Sequence, residues 1–134
     1  MKLFTLQDAE ALLPQAREEL LAMQLCKREI DVLREGLVEV GERATGNGHV
    51  KDEASVAEKR RKAEALVEQL NERLARINEW GIELKGLDEG LLDFPSERDG
   101  RVVYLCWKLD EPRIDWWHEI DAGFGGRQPL ERTE

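Results

Sequence analysis

Apolar residues recur every three or four positions through the first 80 residues, the spacing expected for one face of an α-helix. One stripe runs from Ala16 to Val40 and a second from Val56 to Ile77. Between them, residues 44–51 include two glycines and an asparagine, which tolerate a left-handed backbone. We therefore predict that residues 1–80 form a long antiparallel, coiled-coil-like α-helical hairpin with a break near residues 44–51.

Local signals predict where these helices begin and end. Thr5 is placed to cap the first helix, Asp52 the second, and Gly81 provides a left-handed stop. Pro14 lacks a backbone donor and disfavours helical geometry in the residue before it. We therefore expect a short first helix or a kink at this proline.

After residue 80 the apolar period falls to about two, which is typical of β-strands. Residues 82–85 alternate, and residues 91–94 form a short apolar run that we expect Pro95 to close. The Asp-Gly pair at 99–100 indicates a tight hairpin turn, followed by the clearest strand, over 101–108. We predict one α+β domain spanning residues 1–134, with a small antiparallel β unit over 81–122 and a loop or tail over 123–134.

Aromatic residues are concentrated in the last third of the chain. All four tryptophans lie between residues 80 and 117, and residues 5–79 contain no aromatic side chain. We predict that the tryptophans fasten the β unit to the helices, that Phe124 fills a pocket between glycines, and that Arg127 pairs with Asp121, with an acid on a helix or with an anionic ligand. The residues with a predicted structural or interaction role are Trp107, Trp116, Trp117, Phe124 and Arg127.

Residues 114–121 fit either a strand or a short helical turn. Only the helical alternative brings His118 and Asp121 together, as a metal site or an acid–base pair requires. The candidate metal ligands are then His118, Asp121 and Glu119, with further donors needed from elsewhere, such as Cys106 or an acid of the long helices. In the favoured alternative, the segment is structural and His118 donates a hydrogen bond to a backbone carbonyl.

The charge and composition of the chain argue against some classes of binding partner. The chain has 29 acidic and 20 basic residues, a net charge of −9, and its single basic run, 59–62, is flanked by acidic residues. We therefore expect no nucleic-acid partner and no membrane partner. No apolar run approaches the roughly 18 residues of a membrane span, and the N-terminus has no signal-peptide core. The two cysteines form no CxxC motif, so we expect reduced thiols and a cytoplasmic protein.

Three motifs carry a family resemblance. They are Lys-Gly-Leu-Asp-Glu-Gly-Leu-Leu-Asp-Phe-Pro at 85–95, Asp-Gly-Arg-x-Val-Tyr-Leu-Cys-Trp at 99–107, and Trp-His-Glu-Ile-Asp-Ala-Gly-Phe-Gly-Gly-Arg-Gln-Pro at 117–129. With the opening Phe-Thr-Leu…Leu-Leu-Pro, they resemble domain-of-unknown-function family 2203 (DUF2203), whose members are uncharacterised prokaryotic proteins. The resemblance implies a cytoplasmic protein of this architecture, and it implies no reaction, ligand or catalytic residue.

A two-helix hairpin leaves much of both apolar stripes uncovered, which favours a homo-oligomer, a dimer or higher, or another protein partner. We therefore predict a non-enzymatic oligomerisation or interaction module with no cofactor. The alternative is a metal-binding protein or a metal-dependent enzyme that holds a divalent metal with the His118 and Asp121 cluster.

Overall fold

The structure, a computed structural model, describes residues 1–47 and 53–131, except the side chains of 39–47. It forms two compact units, one of Met1–Leu21 with Leu74–Glu134 and the other of Ala22–Arg73. The elements in chain order are helices α1 (Leu6–Asn47) and α2 (Glu53–Glu79), then strands β1 (Glu83–Gly86), β2 (Leu91–Arg98), β3 (Arg101–Lys108), β4 (Trp116–Glu119) and β5 (Gln128–Pro129). The predicted α+β class is confirmed.

Helix α1 begins where the sequence predicts, because the Thr5 hydroxyl accepts a hydrogen bond from the backbone N–H of Asp8 at 3.1 Å. Pro14 does not end this helix, so the expected short first helix is wrong. Leu13 and Ala16, on either side of the proline, are both buried, and this packing outweighs the loss of one backbone hydrogen bond. The predicted break is helical as far as Asn47, whereas residues 48–51 and the predicted cap Asp52 lie outside the described residues.

The two helices run antiparallel. In the unit of residues 22–73, the Cys26 sulfur lies 3.9 Å from the Gln69 side-chain oxygen, and Gly36 lies beside the side chain of Lys59. In the other unit, Arg76 pairs with Glu19 at 2.6 Å. Within the part of the chain that the structure describes, no helix is long and apolar enough to cross a membrane.

The five strands form one antiparallel sheet in the order β1-β2-β3-β4-β5. Asp99 and Gly100 adopt φ values of 52° and 78°, so the predicted tight turn joins β2 to β3. Pro95 does not close its apolar run as expected, because β2 continues to Arg98. The Pro95 carbonyl accepts from the Phe4 N–H at 2.7 Å on the outer edge, so the missing proline N–H faces away from β3.

One face of the sheet is apolar and forms the core of its unit. Phe94 meets Phe4 edge to face at 5.4 Å, and the Arg17 guanidinium lies 5.5 Å from the Trp107 ring centre. The buried side chains of this face are Leu92, Phe94, Val103, Leu105, Trp107 and Trp117.

Residues 123–131, the described part of the predicted loop or tail, contain regular structure. Residues 116–119 are strand β4, which resolves the alternative left open by the sequence. Phe124–Gly126 forms a 3-10 turn, and β5 pairs with β4 through Trp116 opposite Pro129. A strand of two residues has no periodicity of its own, so its pairing depends on the exposed edge of β4.

Candidate functional site

The second face of the sheet carries a group of polar side chains. Glu83 lies opposite Asp93, Asp93 opposite Cys106, and Tyr104 opposite His118. Directly opposed residues of antiparallel strands project to the same side, so these five side chains share one face. Asp93 and His118 are 2% exposed and Cys106 is fully buried. Buried polar side chains are nearly always hydrogen-bonded, so these groups are expected to have partners.

Asp93 is the centre of a hydrogen-bonded cluster with Cys106 and His118. The two carboxylate oxygens lie 3.0 and 3.1 Å from His118 Nε2, and the Cys106 thiol donates to the same carboxylate. On the other side of the ring, His118 Nδ1 lies 2.7 Å from the carbonyl oxygen of Glu119. The expected hydrogen bond from His118 to a backbone carbonyl is therefore confirmed.

These contacts fix the number of protons in the cluster. A carbonyl oxygen can only accept, so His118 Nδ1 carries a proton and donates it. The contact between Nε2 and Asp93 then needs a second proton, because a lone pair cannot face a carboxylate favourably without one. This proton is held either by an imidazolium or by a neutral Asp93 acid, and it belongs to the pair.

Burial sets the acid–base character of the cluster. Desolvation raises the pKa of Asp93 above its ordinary value, although the adjacent His118 opposes the shift. Burial, reinforced by the negative charge of Asp93, raises the pKa of Cys106 to about 12. A thiol with so high a pKa is not ionised at neutral pH, so Cys106 is not an activated nucleophile.

Charged side chains flank the cluster on the β1 side. The Tyr104 hydroxyl donates to Glu83 at 2.8 Å, and Lys85 pairs with the same carboxylate at 3.0 Å. The ammonium group of Lys85 also lies 4.8 Å from the centre of the Tyr104 ring. Burial opposes ionisation of Glu83, but the bonds from Lys85 and Tyr104 hold its pKa below the usual range.

On the opposite side, Arg127 connects the end of the chain to the β3–β4 connection. Its guanidinium contacts both carboxylate oxygens of Glu111 at 2.7 and 2.8 Å, and it lies between the rings of Trp116 and Phe124 at 4.9 and 4.7 Å. The expected partners, Asp121 or an acid on a helix, are therefore corrected to Glu111. Glu111 lies in a turn directly after β3, where its backbone N–H donates to the Lys108 carbonyl at 2.9 Å. Chain spacing alone does not reveal that this turn meets Arg127.

The sequence predicted that Phe124 fills a pocket, and this prediction is wrong. Its side chain is 46% exposed and lines an open depression of about 330 Å³ with Leu91 and Lys108. The 3-10 turn at Phe124–Gly126 directs the ring toward Arg127, and the stacking between them takes the place of burial.

A family model described as "Uncharacterized conserved protein (DUF2203)" matches residues 2–130. The chain belongs to the DUF2203 family. Comparisons with curated proteins and with solved structures gave no match. The family description names no activity, so the function of this DUF2203 protein has to be argued from its residues.

The structure separates the three metal ligands that the sequence proposed. His118 lies in the buried cluster, but Glu119 is next to it on a strand and pairs with Arg101 at 3.0 and 3.1 Å. Asp121 lies in the exposed turn after β4. Metal binding by that set stays a prediction, and the geometry that would support it is not present in the described residues.

Sequence reasoning did not include Asp93 in the site, although a signal for it existed. A two-residue turn at 99–100 places Arg98 opposite Arg101, and counting back along both strands places Asp93 opposite Cys106. A carboxylate facing a cysteine within an apolar strand indicates a buried polar site. The position of His118 could not be found in this way, because the irregular connection after β3 sets the register of β4.

Proposed function

We propose that this DUF2203 protein is a self-associating interaction module, in which two copies pack together through the helices of residues 22–73. The observation that carries the proposal is that these two helices bury their apolar stripes incompletely. A helix pair has no third layer to cover the remaining surface, and a second copy would supply one by forming a four-helix bundle.

The burial of side chains in this unit supports the proposal. Within residues 22–73, the buried positions of the two stripes are Met23, Cys26 and Ile30 of α1 and Ala63 of α2. The remaining stripe positions with described side chains are only partly buried: Leu33, Leu37, Val56, Leu66, Val67 and Leu70. Leu25 and Val32, seven residues apart as in a coiled-coil heptad, are 50% and 66% exposed.

We place the proposed second copy over a groove between α1 and α2. The groove has a volume of about 550 Å³. Its apolar lining comes from Val32, Leu33, Ala65 and Leu66, and its charged lining from Arg28, Glu29 and Lys62. Because charges of both signs border the same apolar surface, two copies related by a two-fold axis can place opposite charges against each other. This self-complementarity favours a second copy over a partner with a single strong charge.

The area available is sufficient for a specific dimer. Residues 22–38 of α1 extend roughly 26 Å, and two adjacent helices present a surface roughly 20 Å wide. The projected face is therefore about 500 Å² per copy, or about 1,000 Å² for the pair, close to the minimum for a specific interface.

Size-exclusion chromatography with light scattering tests this proposal on the full chain. We expect a mass near twice the 15.4 kDa of one chain. Val32→Lys and Leu25→Lys each place a charge at one of the two exposed apolar positions of α1, and we expect both to lower the mass toward that of one chain. Asn71→Lys, at an exposed position of α2 outside the groove, is the matched control and should leave the mass unchanged.

Circular dichroism checks that each variant keeps its helices. A wild-type protein with the mass of one chain at high micromolar concentration would contradict the proposal. So would charge variants that keep the mass of the wild type.

We further propose that the protein works in the cytoplasm. Cys26 and Cys106 are free and buried, which suits a compartment that keeps thiols reduced. Fractionation of cells that produce the protein with a small epitope tag tests this localisation.

A further inference from the structure

Three side chains that offer good metal-ligand atoms meet on the polar face of the sheet. Asp93, Cys106 and His118 come from the neighbouring strands β2, β3 and β4. One carboxylate oxygen, the sulfur and one ring nitrogen all lie within 4.8 Å of one another. Among the described residues, this is the only group of three or more histidine, cysteine or acidic side chains so close together. We infer that Asp93, Cys106 and His118 form a zinc-binding site.

The spacing of the three atoms is close to that of a zinc centre. Zinc takes ligands at about 2.0–2.3 Å in a tetrahedral arrangement, which separates neighbouring ligand atoms by roughly 3.3–3.8 Å. The 3.0 Å between His118 Nε2 and the nearer Asp93 oxygen has to widen by a few tenths of an ångström. No other separation in the cluster has to shorten by more than about 1.3 Å, which side-chain rotations supply.

The histidine is already oriented as a metal ligand. Its Nδ1–H donates to the Glu119 carbonyl at 2.7 Å, which directs Nε2 toward Asp93. A hydrogen bond of this kind to the second ring nitrogen fixes the tautomer of the ligating histidine in most metal sites. The surrounding backbone therefore orients His118 whether or not a metal is bound.

The set of ligand types selects the metal. Calcium and magnesium take oxygen ligands almost exclusively, whereas a set of one sulfur, one nitrogen and one oxygen suits zinc. A purely structural hydrogen-bond network would not need the sulfur, because a serine hydroxyl donates a stronger hydrogen bond than a thiol. Metal binding therefore explains the presence of a cysteine here better than a structural hydrogen bond does.

The charges also balance. A thiolate, a carboxylate and a neutral imidazole carry a charge of −2, which one Zn²⁺ neutralises in an environment that is at most 2% exposed. Binding releases to solvent the thiol proton and the proton shared by His118 and Asp93. Three protein ligands leave the fourth tetrahedral position for one water molecule.

Metal titration of the full chain without a histidine tag tests the inference. After chelator treatment and dialysis against zinc, elemental analysis should find one zinc per chain. Replacement of zinc by Co²⁺ should give the near-ultraviolet absorption that a cobalt–thiolate bond produces. A chain that takes up no zinc and shows no such absorption would overturn the inference.

Variants identify the ligands. Cys106→Ser, Asp93→Asn and His118→Asn should each weaken zinc binding by more than the roughly 10–100-fold that loss of an outer partner costs. Cys26→Ser, which removes the other buried thiol, and Asp121→Asn, which removes an acid proposed from the sequence, should bind zinc as the wild type does. Unchanged binding by Cys106→Ser, or loss of binding by Asp121→Asn, would overturn the assignment.

X-ray absorption of the zinc-loaded wild type decides the matter if the ligand variants do not fold. It should show one sulfur at about 2.3 Å with nitrogen or oxygen neighbours at about 2.0–2.2 Å. A shell without sulfur would overturn the inference.

Discussion

Replacement of Asp93 by alanine and by asparagine separates the hydrogen-bonding role of the buried carboxylate from its charge. In the metal-free protein, this carboxylate accepts from the Cys106 thiol and faces His118 Nε2 at 3.0 and 3.1 Å. Alanine leaves both neighbours without a partner. Asparagine keeps an acceptor for the thiol, and its amide N–H can donate to an unprotonated Nε2 without a shared proton.

The two substitutions should therefore differ greatly in free energy of unfolding. A buried polar group left without a partner costs about 1–3 kcal/mol. Alanine leaves two such groups and a small cavity, so we expect a loss of about 3–5 kcal/mol, similar to that for breaking a buried ion pair. Asparagine has nearly the same shape as aspartate and leaves neither Cys106 nor His118 without a hydrogen-bond partner. We therefore expect it to lower the free energy of unfolding by at most about 1 kcal/mol. Since whole domains are stable by about 5–15 kcal/mol, the alanine loss is a large fraction of the total.

Urea unfolding at pH 7 in the presence of a chelator measures the difference, with circular dichroism following the helices and tryptophan fluorescence following the sheet. The denaturant slope of each variant should match that of the wild type. Two results would contradict this prediction: a loss below about 1 kcal/mol for Asp93→Ala, or an equal loss for the alanine and asparagine variants. Either result would mean that the stability of the cluster does not depend on the hydrogen bonds of Asp93.

Two further predictions concern the same face of the sheet. Burial raises the pKa of Asp93, so the folded protein holds the Asp93 proton more tightly than the unfolded chain does. The stability that this proton contributes is therefore present at low pH and is lost as pH rises through the pKa of the folded state. Urea unfolding at a series of pH values from about 4 upward should show the wild type losing stability relative to Asp93→Asn, and a relative gain would contradict this sign. Arg127 and Glu111 are only 12% and 20% exposed, so a double-mutant cycle with Arg127→Met and Glu111→Gln should give a coupling free energy of about 1.5–3 kcal/mol. A coupling below about 0.5 kcal/mol would mean that solvent screens the pair like an ordinary surface ion pair.

The parts of the fold that the sequence predicts well are those set by local chemistry. The turn at Asp99 and Gly100 needs a left-handed backbone at both positions, and the β-branched and aromatic run that follows it is strand β3. The Thr5 cap and the stop at Gly81, with φ of 91°, follow from the same kind of local requirement. Each of these features depends on residues within a few positions of one another.

The parts that the sequence did not predict depend on pairing between distant segments. Pro14 lies within a continuous helix because the packing on both sides of it is set by the tertiary fold. The partner of Arg127 is Glu111 because the turn after β3 and the segment that leads into β5 meet in the folded chain. His118 meets Asp93, 25 residues away, and not the nearby Asp121, because strand alternation governs residues 116–119.

The mass of the full chain in solution decides whether two copies associate through the helices of residues 22–73. Sedimentation equilibrium over a range of concentrations should give a mass that approaches twice 15.4 kDa for the wild type and for Asn71→Lys, and a mass near that of one chain for Val32→Lys. A wild-type mass of 15.4 kDa at the highest concentration, equal to that of Val32→Lys, would contradict this association.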